Sequence, residues 1–479
     1  MEFGLNFIEN FLNRLRASNG YQQSFEEKVQ AGDIDGALSL METHNLRVAK
    51  AIQEYDMDKH QVMQRQDKPV FDAKGHFKGW VKRWKLALGY HQYINEIALV
   101  FMYGRPVKWT QESDNTDKAF EAYTKFIKDT HFNSKVREAK RLAGSETQSA
   151  LLFHCYRGKD GKAKCLIKVL AKSLGDDLYF IRDQYDRLLY FARGYYLTEA
   201  VGGNTYHVDI YMDDVIYHCK RGGNRWVVEQ EKNFIGKKPV ILFEQEVEWH
   251  GAQPLMDRQE MQKSKTADVN DYFADPALVA TADVVQGMPD KDSEVKLYIL
   301  SDGKGKLEYL TPDTASELKK QEMEDNERHI MRDTFTPNID VDSMLKLTNV
   351  SAKALRQLMV LATIKADHRK EKHEEYMTRT SSLILAIMQN VTNIELAGEI
   401  SQLEVGFEFQ EPFMEDVAEV INNLTKARDA GGLSEETLVE MNPLIHNTTK
   451  EKARLKQEQE QKQEKEAQMF KQDMFNPTE

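Results

Sequence analysis

Two acidic pairs, Asp176-Asp177 and Asp213-Asp214, come nearest in this 479-residue chain to a spacing that could do chemistry. Adjacent carboxylates can hold divalent metals, and such ions can clamp a phosphodiester for hydrolysis. Both pairs fall at junctions between expected strands, where Asp is favoured because its side chain bonds nearby backbone in turns. His368 and His373 are five residues apart, on different faces of a helix, and His373-Glu374-Glu375 is not the HExxH pattern of a zinc site. Both histidines are expected on a charged, solvated face. Gly158-Lys159-Asp160-Gly161-Lys162 and Gly303-Lys304-Gly305-Lys306 lack the spacing and the Ser or Thr of a phosphate-binding loop and read as hairpin turns. Cys155, Cys165 and Cys219 are odd in number and lack metal-ligand spacing, which predicts incidental thiols in a reducing cytoplasm. GxSxG, CxxC and GxGxxG are absent. The expectation is an architectural protein with no catalytic residue, metal or cofactor; the rival is a metal-dependent nucleic-acid enzyme acting through the acidic pairs.

The bulk properties agree with an architectural role. With 41% hydrophobic residues the chain can build real cores over several domains. Its 65 basic and 77 acidic residues give a net charge of −12, which argues against holding nucleic acid by neutralising phosphates. The longest apolar run, residues 97–103, is far short of the roughly 18 a membrane span needs, and residues 1–16 lack a basic segment leading an apolar one. A soluble, unexported protein without membrane contact is expected. Phe3, Phe7, Phe11 and Leu15 recur at helical spacing and predict a packing face.

Helical patterns occupy residues 24–58, 84–103 and 116–141, the second stopping at Tyr103-Gly104-Arg105-Pro106-Val107, where Gly and Pro leave helical geometry. Beyond Gly144 the apolar period shortens towards two. Seven β-rich segments, 150–156, 163–169, 189–197, 205–212, 215–221, 225–229 and 239–243, predict a meandering antiparallel sheet in an α+β domain ending near residue 248. A helix over 257–273, a small module with strands at 278–285, 295–300 and 307–310, and a charged helix over 314–334 follow. Residues 338–350 have loop composition, and from Ser351 to Gln389 no Gly or Pro interrupts the chain. One helix of about 58 Å is predicted there. Its apolar ends are read as buried in different places, with the charged stretch 367–375 wet, bent or against another charged surface. A strand at 403–409, helices at 416–429 and 434–441, and a Lys/Glu/Gln-rich tail from residue 450 complete the chain.

The order of these features resembles the portal proteins of long-tailed bacteriophages and related prophages. The helix carrying His91, Tyr93, Ile94, Ile97 and Phe101 into Tyr103-Gly104-Arg105-Pro106-Val107 is similar to that family's helix ending in an aromatic residue before x-x-G-x-P. Ile235-Gly236-Lys237-Lys238-Pro239-Val240 resembles its G-x-x-P-V strand, although Phe243-Glu244-Gln245 stands where an asparagine is frequent. Asn349-Val350-Ser351-Ala352-Lys353-Ala354-Leu355 resembles N-x-S-G-x-A-L, with Ala352 in place of Gly at the loop-to-helix hinge formed with Ser351. Phe407 to Phe409 with Pro412, and Gly432-Leu433-Ser434-Glu435-Glu436-Thr437, resemble its last strand and S-x-E-T turn.

The resemblance implies an α+β portal fold: a wing over residues 1–250, stem helices at 251–275 and 313–335 around a clip at 276–312, and a tunnel loop at 336–350. The long helix with a returning wing strand would occupy 351–410, crown helices 411–449 and a charged tail 450–479. It implies a homo-oligomeric ring, a dodecamer, at one capsid vertex of the virion, assembled in the host cytoplasm, through which double-stranded DNA is packaged and ejected. The implied partners are the terminase large subunit, a head-tail adaptor, and the major capsid and scaffolding proteins; the alternative within phage particles is another structural ring. The implied DNA-facing residues are Asn338, Asp340, Asp342, Ser343, Lys346, Thr348 and Asn349, where Lys346 is the only base between Thr336 and Val350. A twelve-membered ring would carry about −144 formal charges, screened beyond roughly 8 Å at physiological salt. Such a wall repels a sliding duplex at close range without trapping it. The charged helices at 257–273 and 314–334 are expected to find charged neighbours in adjacent subunits.

Overall fold

The computed structural model describes residues 19–71, 74–199, 203–223, 225–274, 278–280, 307–309, 315–338, 359–410, 412, 417–442, 444–445, 451–452, 454–458 and 461. The backbone contacts divide the chain into two compact units, residues 1–344 with 359–410, and residues 345–358 with 411–479.

The first unit opens with helices α1 (Asn19–Gln30), α2 (Ile34–Leu40) and α3 (Asn45–Tyr55), then a two-stranded hairpin of β1 (Lys68–Phe71) and β2 (Phe77–Val81). The Asp33 carboxylate accepts from Gly36 N at 3.0 Å and so caps α2. Helix α4 (Tyr90–Tyr103), strand β3 (Lys108–Gln111) and helices α5 (Asp117–Asp129) and α6 (Phe132–Glu146) follow. The expected start of α4 at residue 84 is corrected: residues 82–88 form neither helix nor strand, and the amides of Trp84, Leu86 and Leu88 bond side chains elsewhere. The single helix expected over 116–141 is two, broken where His131 takes left-handed geometry at φ 53°.

Two sheets replace the expected meander. β6 (Asp176–Arg182), β7 (Leu188–Glu199), β8 (Gly203–Tyr211), β9 (Val215–Gly222) and β10 (Arg225–Lys232) form a five-stranded antiparallel ladder in sequence order. β4 (Gln148–Arg157) lies between β5 (Ala163–Leu170) and β11 (Val240–Glu244) in a separate three-stranded sheet. Side-chain alternation makes this layering work. Leu152, Leu170 and Leu242 of the small sheet pack on Phe180, Phe191 and Tyr211 of the large one. Leu151, Phe153 and Ile241 point the other way, onto α4, α5 and α6. The far face of the large sheet, with Ile181, Val208 and Ile210, is covered by Phe25, Val29 and Ile34 of α1 and α2.

Helices α7 (Gln253–Ala274) and α8 (Ala315–Asp333) pack side by side, and β12 (Leu278–Ala280) pairs with β13 (Leu307–Tyr309) between them in sequence. The third expected strand of that module, 295–300, lies outside the described residues. Contrary to expectation, the polar face of α7 is buried within its own subunit: Gln259, Glu260 and Ser264 are each at most 1% exposed. Helix α9 (Val360–Ile387) spans about 42 Å at about 1.5 Å per residue and ends in a π-turn at Met388–Thr392. Asn390 in that turn donates to Ile235 O at 2.9 Å. Strand β14 (Val405–Glu408) returns to pair antiparallel with β3.

In the second unit, α10 (Val417–Asp429) and α11 (Glu435–Met441) are joined at Gly431, whose φ of +73° suits glycine. Ser434 caps α11 by accepting from Thr437 N at 3.2 Å.

Candidate functional site

The segment after α8 and the start of α9 meet at one buried carboxylate. Glu248, on the chain leading into α7, is 2% exposed and is surrounded by three cations from two helices. Lys140 Nζ of α6 lies 2.5 Å from Oε1, and Lys365 Nζ and Arg369 of α9 lie 3.1 and 3.4 Å from Oε2. Burial by itself raises a carboxyl pKa, but the attraction of Lys140, Lys365 and Arg369 outweighs it and holds Glu248 well below the usual range. Backbone carbonyls take up the remaining donors: Lys365 also donates to Glu248 O at 2.8 Å and Thr334 O at 3.0 Å, and Arg369 to Glu246 O at 3.2 Å.

This junction joins the chain entering the segment expected to line a channel, at Thr334, to the start of α9. On the incoming side Thr334 and Thr336 are buried, their hydroxyls 3.0 Å apart, and the Tyr93 hydroxyl donates to Pro337 O at 2.8 Å. On the outgoing side Met359, Ala362 and Ala366 are buried. Of the expected channel residues, Asn338 is exposed and its amide lies 3.4 Å from Glu327 Oε1. Asp340, Asp342, Ser343, Lys346, Thr348, Asn349 and the hinge pair Ser351 and Ala352 lie outside the described residues.

His373 corrects the expectation of a solvated histidine. It is 2% exposed, with Nδ1 2.8 Å from the Tyr103 hydroxyl and its ring against Phe243 and Tyr376, while His368 is exposed as expected. Burial, reinforced by the nearby Lys140 charge, pushes its pKa well below the ordinary histidine value. The charged stretch of α9 thus carries both a core histidine and Arg369, one of the three cations that meet Glu248. Neither was legible locally, because their partners at 103 and 248 are far away in sequence.

Three of the four carboxylates of the acidic pairs are occupied by cations of the chain itself. Asp176 takes Arg193 Nε at 2.6 Å and Lys168 at 3.6 Å, Asp177 is paired with Lys172, and Asp213 accepts from Lys238 Nζ at 2.7 Å. Asp214 offers its backbone carbonyl to Asn233 N at 2.9 Å. Among the described residues no three His, Cys, Asp or Glu side chains are grouped to hold a metal. Asp176 and Asp177 open strand β6, which their turn-like composition concealed. An open cleft of about 1120 Å³ beside α9, lined by Arg182, Asp213, Lys238, Glu244, His373 and Arg379 among others, mixes both signs of charge without a converging acid pair. Cys155 and Cys165 face each other across β4 and β5 as free thiols, and Cys219 is buried. Among the described residues no helix is long and apolar enough to cross a membrane.

No curated protein matches the chain. A solved structure described as the neck of a native GTA particle computed with C12 symmetry is 10% identical over 74% of this chain and 88% of its own, with a TM-score of 0.38. A superposition at that score adds no argument. The family model described as phage portal protein, SPP1 Gp6-like, matches residues 43–465, which span both compact units. By that match the chain belongs to the SPP1 Gp6-like family of phage portal proteins, structural components of the phage particle.

Proposed function

We propose that this portal-family protein works as one subunit of a twelve-membered ring at a single capsid vertex, the channel for packaging and ejecting double-stranded DNA. The observation that carries the reading is the family match over residues 43–465. In this reading residues 1–250 are the wing, α7 and α8 the stem, and 276–312 a clip facing the terminase large subunit and later the head-tail adaptor. Residues 411–449 form the crown, and the major capsid and scaffolding proteins surround the ring. Residues 336–350 line the channel, and the Glu248 junction supports that lining where the chain enters it, since Thr334 is buried there and bonded through Lys365 to this carboxylate. The net charge of −12 suits a wall that a duplex must slide past. Phe335, at φ 53°, ends α8 sharply just before this segment.

Cryo-electron microscopy of the assembled ring, alone and with duplex threaded, tests the assignment. The expected result puts Lys346 and its neighbours at the narrowest part of the channel, and Lys346→Glu is expected to slow DNA packaging without loss of rings. A reconstruction with Lys346 directed away from the axis overturns the channel lining.

A further inference from the structure

Cys155 of β4 and Cys165 of β5 stand directly opposite one another in the antiparallel register. In such a ladder, opposed residues alternate between pairs that exchange backbone hydrogen bonds and pairs that do not. Two bonds fix which kind this is. Gly158 N donates to Lys162 O at 2.8 Å, so 158 and 162 at the turn are a bonded pair, and counting along the register makes 155 and 165 a non-bonded one. Phe153 N donates to Pro239 O at 2.8 Å, on the β11 side, which turns the amide of Phe153 and, two residues on, that of Cys155 away from β5. Non-bonded partners are the close ones, with Cα atoms about 4.5 Å apart and side chains nearer together than at bonded positions. A disulfide spans Cα atoms about 4.4–6.8 Å apart, so this position admits one with little backbone movement.

The two side chains also share a face. Leu151 and Phe153 of β4 and Ile167 and Val169 of β5 turn into the core formed with α4, α5 and α6, and alternation puts Cys155 and Cys165 on that same side, packed against it. They lie at its margin, since both are half-buried. Small solutes can therefore reach the sulfurs while the strands hold them together. The Cys165 thiol beside Cys155 outweighs the burial of that residue and lowers its pKa, which favours the reactive thiolate within the pair. The other contact of the Cys165 thiol, Leu166 O at 3.7 Å, is long. Cys219 is the contrast: it is 1% exposed in the separate core under α1 and α2, and burial pushes its thiol up to about 12.

We propose that Cys155 and Cys165 are a redox-modification site, closing a disulfide between β4 and β5 when the protein meets a hydroperoxide. One thiolate attacks a peroxide oxygen, the O–O bond breaks, hydroxide leaves and takes up a proton, and the sulfur becomes a sulfenic acid. The second sulfur attacks the first, the S–O bond breaks as the S–S bond forms, and the hydroxyl leaves as water with the second thiol's proton. Two thiols and one peroxide give one disulfide and two waters; each sulfur gives up one electron and the peroxide takes both. In a reducing cytoplasm the pair stays open, and the bridge belongs to oxidising surroundings such as those outside a cell.

The test treats the purified full chain with a stoichiometric amount of hydrogen peroxide, alkylates the remaining thiols in denaturant and maps tryptic peptides without reductant. Trypsin releases Cys155 in residues 142–157 and Cys165 in residues 165–168. These two peptides are expected joined and lighter than their sum by two hydrogens, with alkylated cysteines falling from three to one, Cys219. Cys155→Ser and Cys165→Ser are each expected to abolish the joined pair, and a reductant to restore all three thiols. In glutathione buffers the ratio of bridged to open chain is expected to be at least about tenfold higher in the folded protein than in urea. Equal ratios would show that nearness in sequence alone joins the two and would overturn the inference. Unjoined peptides, sulfinic acid at either cysteine, or a bridge between two chains on a non-reducing gel would overturn it as well.

Discussion

Glu248 is the side chain whose loss the molecule should tolerate least. Removing one partner of a buried ion cluster leaves uncompensated charge in a low-dielectric interior, which costs about 3–5 kcal/mol. Glu248→Ala, which strands Lys140, Lys365 and Arg369, is expected to lower stability by that order, measured as a shift in the urea midpoint; an unshifted midpoint contradicts the role given to this cluster. Two histidines give opposite pH signatures. The folded pKa of His373 lies well below its ordinary 6.5, so the unfolded chain binds more protons there, and its stabilising contribution is present above pH 6.5 and fades as pH falls. His218, hydrogen-bonded to Asp209 at 2.7 Å and Glu231 at 3.1 Å, is raised to about 9, so its contribution is present below pH 6.5 and is lost as pH rises towards 9. Thermal melts at pH 6, 7.5 and 9 should show a smaller alkaline decline in His218→Asn than in the parent, and an equal decline would remove that assignment. Composition could identify the charged run 367–375 but not which of its members turn inward, because inward and outward residues there are all charged or polar.

At the scale of elements, close approach matters more than propensity at Gly144. A Cβ there would come 2.2 Å from Asn95 Oδ1 and 3.1 Å from Glu248 Cγ, and Glu248 is held in place by its cations. Gly144→Ala is expected to destabilise even though alanine favours a helix interior by about 1 kcal/mol. A gain in the melting temperature would show that the carboxylate can move aside. The strands were legible wherever β-branched and aromatic residues alternate, as in 150–156 and 205–212. Strand β6 was not, because Asp176 and Asp177 carry the composition of a turn while serving as ion-pair partners for Arg193, Lys168 and Lys172. Helices α5 and α6 read as one because nothing marks the break: His131 adopts left-handed geometry that glycine or asparagine would have announced. The division into two sheets was likewise hidden, since it depends on β11 returning to β4 across almost ninety residues, from Val240 back to Leu152.

Across the whole molecule, the portal architecture was legible through the order of weak motifs, and the family match over residues 43–465 agrees with it. The resemblance gave no account of the hairpin at 68–81, whose exposed aromatic cluster and fixed foot on α7 show only in the structure. The most direct measurement is negative-stain electron microscopy of the purified full chain with class averages along the symmetry axis. The account predicts closed rings of twelve subunits with an axial hole wide enough, at about 20 Å or more, to admit a duplex with its major groove of about 12 Å and flanking backbones. A persistent monomer, or a disc with no axial opening, would contradict it.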